Sequence, residues 1–207
     1  MSFVKIESIR IGKRKVDIIA DGESYRGIHP EAAVRYRLEK GEIERERFDA
    51  LRELSAKLNA KEYLLNLIAR GPRTEREARN KLREKGYPQS AVDYAVDFCL
   101  QYRYLSDEAY ASFYYEANAS IKGTYRIRRE LQQKGIADAL IDAATAGSEE
   151  DEQEACNAVF RKYCRGKDRS DPKFREKAIR HLAARGFSYE AAKEAIGMGD
   201  EDEPYCD

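Results

Sequence analysis

The side chains of this chain best arranged to bind a partner are cationic. Within residues 122 to 134, five bases (Lys122, Arg126, Arg128, Arg129 and Lys134) stand against one acid, Glu130. Within residues 161 to 185, ten bases stand against three acids. The whole chain is nonetheless neutral, with 38 Lys and Arg against 38 Asp and Glu. The compensating acids are segregated into Glu149 to Glu154 and the last eight residues. A helix face that merely solvates itself mixes signs at i,i+4 spacing, whereas segregation favours an electrostatic partner such as nucleic acid or an acidic protein surface.

Catalysis finds no comparable support. Neither histidine, His29 or His181, has a nucleophile or partner at a diagnostic spacing, and HExxH and Gly-rich phosphate loops are absent. The acids Asp107 and Glu108 are explained as charges at a helix start. No catalytic residue and no cofactor are expected. Cys99, Cys156, Cys164 and Cys206 form no CxxC pair, so no metal site is expected either. Unpatterned cysteines point to reduced thiols and a cytoplasmic location, with Cys156 and Cys164 packed inside. No apolar run approaches about 18 residues and no charged start leads into one, which excludes a membrane span and an ordinary signal peptide. The chain reads as a monomeric binding protein and not as an enzyme.

A short pattern sets out the elements that must carry these charges. Leu82-Arg83-Glu84-Lys85-Gly86, Leu131-Gln132-Gln133-Lys134-Gly135 and Leu182-Ala183-Ala184-Arg185-Gly186 recur about 50 residues apart, the signature of a repeat architecture. A base before a glycine is how a helix ends, so each copy reads as helix, glycine stop, helix. Ala78, Ile127 and Ala178 stand four residues before each Leu, and Ala91, Leu140 and Ala191 five after each Gly. On this frame Lys122, Arg126 and Arg129 of the second copy match Lys173, Lys177 and Arg180 of the third. At 100° per residue these positions cluster within about 60°, nearly opposite the apolar ones. The equivalents in the first copy are Arg73, Glu77 and Asn80, and a different row, Arg76, Arg79 and Arg83, supplies the charge.

The expected fold is mainly α, with three tandem three-helix repeats preceded by a small strand-containing region. Residues 1–58 form that region. Val4, Ile6, Ile9 and Ile11, then Val16, Ile18 and Ala20, alternate around Gly-containing turns and predict a hairpin or three-stranded meander. Pro30 opens a short helix that Gly41 stops, and a second helix runs from about Ile43 to Leu58. The repeats follow at 59–106, 107–147 and 148–198, with a frayed acidic tail at 199–207. Ser90 and Ser188 are candidate N-caps. Tyr110, Phe113 and Tyr114, at i, i+3 and i+4, predict core packing, while Tyr102 and Tyr115 are freer to stack on a base.

Two stretches carry a resemblance. Tyr104-Leu105-Ser106-Asp107-Glu108-Ala109-Tyr110-Ala111, followed by Lys122-Gly123-Thr124-Tyr125-Arg126-Ile127-Arg128-Arg129-Glu130-Leu131-Gln132-Gln133-Lys134-Gly135-Ile136, resembles the central repeat of RecX-type regulatory proteins. Arg73 to Leu82 and the following Gly86-Tyr87 resemble the first repeat, and the likeness covers roughly residues 60 to 197. The resemblance implies an elongated, curved molecule that regulates the RecA recombinase. Such a protein lodges in the helical groove of the RecA–DNA filament, contacts protomers and DNA, and inhibits ATP hydrolysis, strand exchange and co-protease activity. The rival reading is a sequence-specific DNA-binding protein of helix-turn-helix type. Such readers usually dimerise on paired half-sites, whereas here three units share one chain.

Overall fold

The computed structural model describes residues 2–169 and 171–197. The chain divides into two compact units, 1–106 and 107–207. The acidic tail expected at 199–207, and Cys206 within it, lie outside the described residues.

The first unit holds strands β1 (Phe3–Ile11), β2 (Val16–Ala20) and β3 (Glu23–Ile28), helix α1 (Pro30–Arg35) and strand β4 (Gly41–Glu44). Helices α2 (Arg45–Ile68), α3 (Glu75–Glu84) and α4 (Gln89–Gln101) complete it. The alternating residues Val4, Ile6, Val16, Ile18 and Ala20 lie on one buried face, as the period of a strand requires. The sheet is antiparallel with four strands in the order β3-β2-β1-β4, one more strand than the meander anticipates. The added strand pairs from Phe3 with Glu44 to Ile6 with Gly41. Gly41, expected to stop a helix, therefore opens a strand, and α1 already ends at Arg35 with Arg37 left-handed at φ 46°.

The helix expected at 43–58 and the first helix of the first repeat are one element. Helix α2 runs 24 residues without interruption through residues 58 and 59, because neither Gly nor Pro falls between Arg45 and Ile68. Its first half places Phe48 and Leu51 in the core under the sheet. Its second half places Ala60 and Leu64 in the helical core with Ala78, Leu82, Val92 and Val96. Between the two, the Ser55 hydroxyl accepts from His29 N at 2.9 Å and Asn59 Nδ2 donates to Gly27 O at 2.8 Å.

The second unit is helical throughout its described length: α5 (Asp107–Asn118), α6 (Thr124–Gln133), α7 (Asp138–Ala144), α8 (Glu149–Tyr163), α9 (Pro172–Ala184) and α10 (Tyr189–Ile196). It has two cores. One gathers Tyr110, Ala111, Ile127, Leu131, Ile136 and Ile141, the other Cys156, Val159, Phe160, Phe174, Ala178 and Leu182 among others.

The three pattern copies have the same physical basis. Leu82, Leu131 and Leu182 are fully buried. Gly86, Gly135 and Gly186 adopt φ of 87°, 87° and 88°, a left-handed conformation that costs glycine little. Each turn then closes by two backbone bonds. The glycine N–H donates to Arg83 O, Gln132 O or Ala183 O, and the next residue, Tyr87, Ile136 or Phe187, donates back to the pattern leucine. This is a Schellman closure, which satisfies the orphan carbonyls at a helix end and brings an apolar residue back onto the core.

Two smaller expectations are corrected. Ser188 caps α10, accepting from Ala191 N at 3.2 Å, but α4 starts at Gln89 with Pro88 as its cap residue, so Ser90 lies inside the first turn. Tyr110 is buried and Tyr114 half-buried, whereas Phe113 is 57% exposed because the core of α5 lies toward Tyr110 and Ala111.

Candidate functional site

Helix α6 has no side-chain cap: its N-cap is Gly123. Lys122 therefore sits before the helix and outside its 100° frame. Its ammonium reaches Glu130 Oε2 at 2.7 Å and the Tyr114 hydroxyl at 3.3 Å. Tyr114 donates its hydroxyl to the same oxygen at 2.7 Å, and Arg126 Nε donates to Oε1 at 3.0 Å. Burial alone would raise the Glu130 carboxyl, but Lys122, Tyr114 and Arg126 outweigh it and hold it at about 2. One carboxylate thus receives two of the three cations that sequence places in the second-repeat row. Arg129, exposed on the same helix, makes no ion pair among the described residues. Arg128 points elsewhere: its guanidinium reaches Asp142 of α7 and donates to the Thr145 hydroxyl at 2.9 Å.

Helix α9 carries the matching row with less internal pairing. Lys173, Lys177 and Arg180 are all exposed, and Arg180 meets Glu176 at 3.4 Å through both its carboxylate and its backbone carbonyl. Asp171 caps this helix by accepting from Lys173 N at 3.0 Å, and Pro172 occupies its first turn. The base of α9 is fixed by rings: Tyr163 stacks on His181 at 4.0 Å, and Lys167 Nζ lies 3.5 Å from the Tyr163 ring centre. Burial, then Arg185 and Lys167, lower the His181 pKa.

The ends of the two helices meet. Gly123 N donates to Arg185 O at 3.0 Å and Tyr125 N to Gly186 O at 3.2 Å. The negative end of α9 therefore abuts the positive end of α6, each satisfying groups the other leaves open. The approach is too close for side chains. A Cβ on Gly123 would lie 2.1 Å from Gly186 C and O, and one on Gly186 2.4 Å from Arg126 N. Beside this junction lies a cleft of about 420 Å³ lined by Tyr125, Arg126, Arg129, Glu130, Gln133, Ala183, Ala184 and Gly186.

The first-repeat row is differently placed. Arg79 is half-buried between Glu75 and Asp93, at 2.7 Å from each; burial opposes its charge, and the two carboxylates outweigh it and raise its pKa. Arg83 is exposed with Nε 3.4 Å from Gln89 Oε1, and Arg76 is exposed. Thr74 and Glu77 form a reciprocal capping box at the start of α3.

Three family models match the chain in tandem: RecX, first three-helix domain, at 52–99; second at 106–144; third at 149–196. A regulatory protein RecX of Vibrio campbellii is 34% identical over 146 residues, which span 70% of this chain and 94% of that protein. The chain belongs to the RecX family. The regulatory protein RecX of Clostridium botulinum is 27% identical over 197 residues, 93% of each chain. A crystal structure of regulatory protein RecX covers 95% of this chain with a TM-score of 0.68 at 27% identity. RecX from Lactobacillus salivarius, 20% identical over 70% of this chain with a TM-score of 0.64, shares the fold.

The RecX domains make α3, α6 and α9 the second helices of their repeats, so the basic rows occupy corresponding elements. Tyr125, Ala183 and Ala184 lie beside those rows without being expected from sequence, as does the close approach of Gly123 to Gly186. Tyr125 carried a signal, since it stands four residues before Arg129 on one helix face. Cys99, Cys156 and Cys164 are free and buried, and burial, with Glu152 nearby, pushes Cys156 up to about 11. Among the described residues no group of His, Cys, Asp and Glu is placed to hold a metal ion, and no helix is long and apolar enough to cross a membrane.

Proposed function

We propose that this chain is a non-enzymatic cytoplasmic regulator of the RecA recombinase. It lodges in the helical groove of the RecA–DNA filament, meets protomers and DNA through its basic rows, and inhibits ATP hydrolysis, strand exchange and co-protease activity. The observation that carries the reading is the tandem order of three RecX domains, with exposed cations on the second helices of the last two. Repeats with exposed cations on corresponding helices suit a polymer that offers the same site at regular intervals, because each added contact is made at high effective concentration. Arg126, Arg129, Lys173, Lys177 and Arg180 are the cations open to such a partner. Lys122, Arg128 and Arg79 are more committed to internal carboxylates, and Arg76 and Arg83 serve at the first repeat.

The test is direct. The protein is added to RecA filaments assembled on single-stranded DNA, and ATP hydrolysis is followed. A concentration-dependent fall in turnover supports the reading; an unchanged rate at molar excess over RecA overturns it.

A further inference from the structure

The cleft beside the α6–α9 junction has three properties that no single helix face supplies. It is concave, it is cationic, and it has an exposed aromatic ring at its edge. Ala183 and Ala184 form its α9 wall, and both are exposed. At the same positions of the pattern the first repeat has Arg83 and Glu84 and the second has Gln132 and Gln133, all long side chains. Methyl groups at 183 and 184 leave the space open. The α6 wall presents Tyr125, Arg129 and Gln133 at successive i+4 positions, with Arg126 and Glu130 alongside. Tyr125 is 71% exposed, and its backbone N–H is fixed to Gly186.

The chemistry of the occupant follows from what is already satisfied. The amino end of α6 is largely taken up, because Gly123 N, Tyr125 N and Arg126 N donate to the carbonyls of Arg185, Gly186 and Gly123. An anion in the cleft must be held by guanidinium groups. Arg126 spends Nε on Glu130 and keeps its two terminal nitrogens, and Arg129 has no ion-pair partner among the described residues. Two guanidinium groups three residues apart suit a phosphate. A carboxylate would use the same pair but would give no role to the Tyr125 ring, whereas a nucleotide brings a planar base together with its phosphate. The base must be unstacked to reach the ring, which selects single strands over duplex.

We propose that this cleft is a binding site for single-stranded DNA, with Arg126 and Arg129 on a backbone phosphate and Tyr125 stacked on the adjoining base. The proposal deepens the filament reading by assigning the DNA contact to one place, and its setting rests on that reading. The junction makes the site dependent on two repeats at once. Gly186 fixes where Arg126 stands, and α9 supplies the opposite wall.

The experiment measures fluorescence anisotropy of a labelled oligothymidine with the full chain at low salt. Ala184→Glu, at an exposed helical position, puts an acid into the cleft while leaving every basic residue in place. It should weaken binding at least tenfold with an unchanged melting temperature. Tyr125→Leu should weaken it roughly fivefold or more, the loss of one stacked base. Arg129→Gln should lower the salt slope of the affinity by about 0.7, the share of one single-strand phosphate. Affinities of Ala184→Glu and Tyr125→Leu within twofold of the parent overturn the site, as does a parent chain that binds no oligothymidine. The same proteins are then added to RecA filaments. Intact inhibition by a parent whose cleft variants still bind DNA overturns the cleft alone. A cleft that binds DNA in a chain without effect on RecA turnover overturns the regulator reading alone.

Discussion

Glu130 governs how much of the second repeat's charge reaches solvent. Sequence presents it as one acid among five bases. In the structure it draws in Lys122, Arg126 and Tyr114, and its pKa falls from an ordinary 4.5 to about 2. The sign of the pH effect follows. The folded protein favours the ionised carboxylate, so the unfolded chain binds more protons as pH drops. The stabilisation is complete above about 4.5 and is lost as pH falls toward about 2. The gap in unfolding free energy between the parent and Glu130→Gln should be widest near neutral pH and shrink below about 4.5. Urea unfolding at stepped pH measures it, and a gap independent of pH would remove the ionic contribution. This network was not legible in the sequence. Lys122 and Glu130 lie eight positions apart with Gly123 between them, and helical phase does not carry across the turn. The Thr74-x-x-Glu77 capping box lies within one turn and so carries a local signature, but the repeat frame read from sequence places Glu77 only as a gap in the basic row.

At the level of elements, what repeats locally was readable and what pairs at long range was not. The Leu-x-x-x-Gly pattern found the ends of α3, α6 and α9 because a Schellman closure involves only six consecutive residues. Strand β4 escaped because its partner β1 lies at the other end of the region, and only Ile43 of its four residues is buried. Two predictions belong here. Leu131→Ala removes a fully buried side chain from the core of α5, α6 and α7 and should cost about 2–5 kcal/mol by denaturant unfolding. Gly86→Ala and Gly186→Ala should differ, although their φ angles are nearly the same. Both force alanine into the left-handed region, a cost of roughly 1–2 kcal/mol. A Cβ at Gly86 meets nothing within 4 Å, whereas one at Gly186 meets Arg126 Cβ at 2.3 Å and its backbone N at 2.4 Å. The Gly186 variant should therefore be clearly the less stable of the two, and equal losses would show that the α6–α9 junction yields freely.

Across the whole molecule, the repeats are alike in backbone pattern and unlike in charge. The exposed row is fullest on α9, partly neutralised on α6 and rebuilt from other positions on α3. Equal contributions to binding are therefore not expected. Arg126 and Arg129 changed together to Gln should weaken inhibition of RecA at least several-fold. Stability should fall by no more than about 0.5 kcal/mol, since Lys122 and Tyr114 still hold Glu130 and exposed i,i+4 pairs contribute little. Lys177 and Arg180 changed to Gln should weaken it in the same direction but by a different factor, and ATP hydrolysis with a parallel thermal melt separates loss of contact from loss of fold. The continuous helix α2 has a consequence of another kind. Repeats are ordinarily pieces that can be gained, lost or exchanged whole. The first repeat here is not, because the helix that closes it also closes the sheet, through Phe48 and Leu51 on one stretch and Ala60 and Leu64 on the next. A chimera joined at residue 58 or 59 must keep one helical phase across both, since a single inserted residue turns one face about 100° away from its core. In this chain one helix carries both cores, and a cut between sheet and repeat is a cut through that helix.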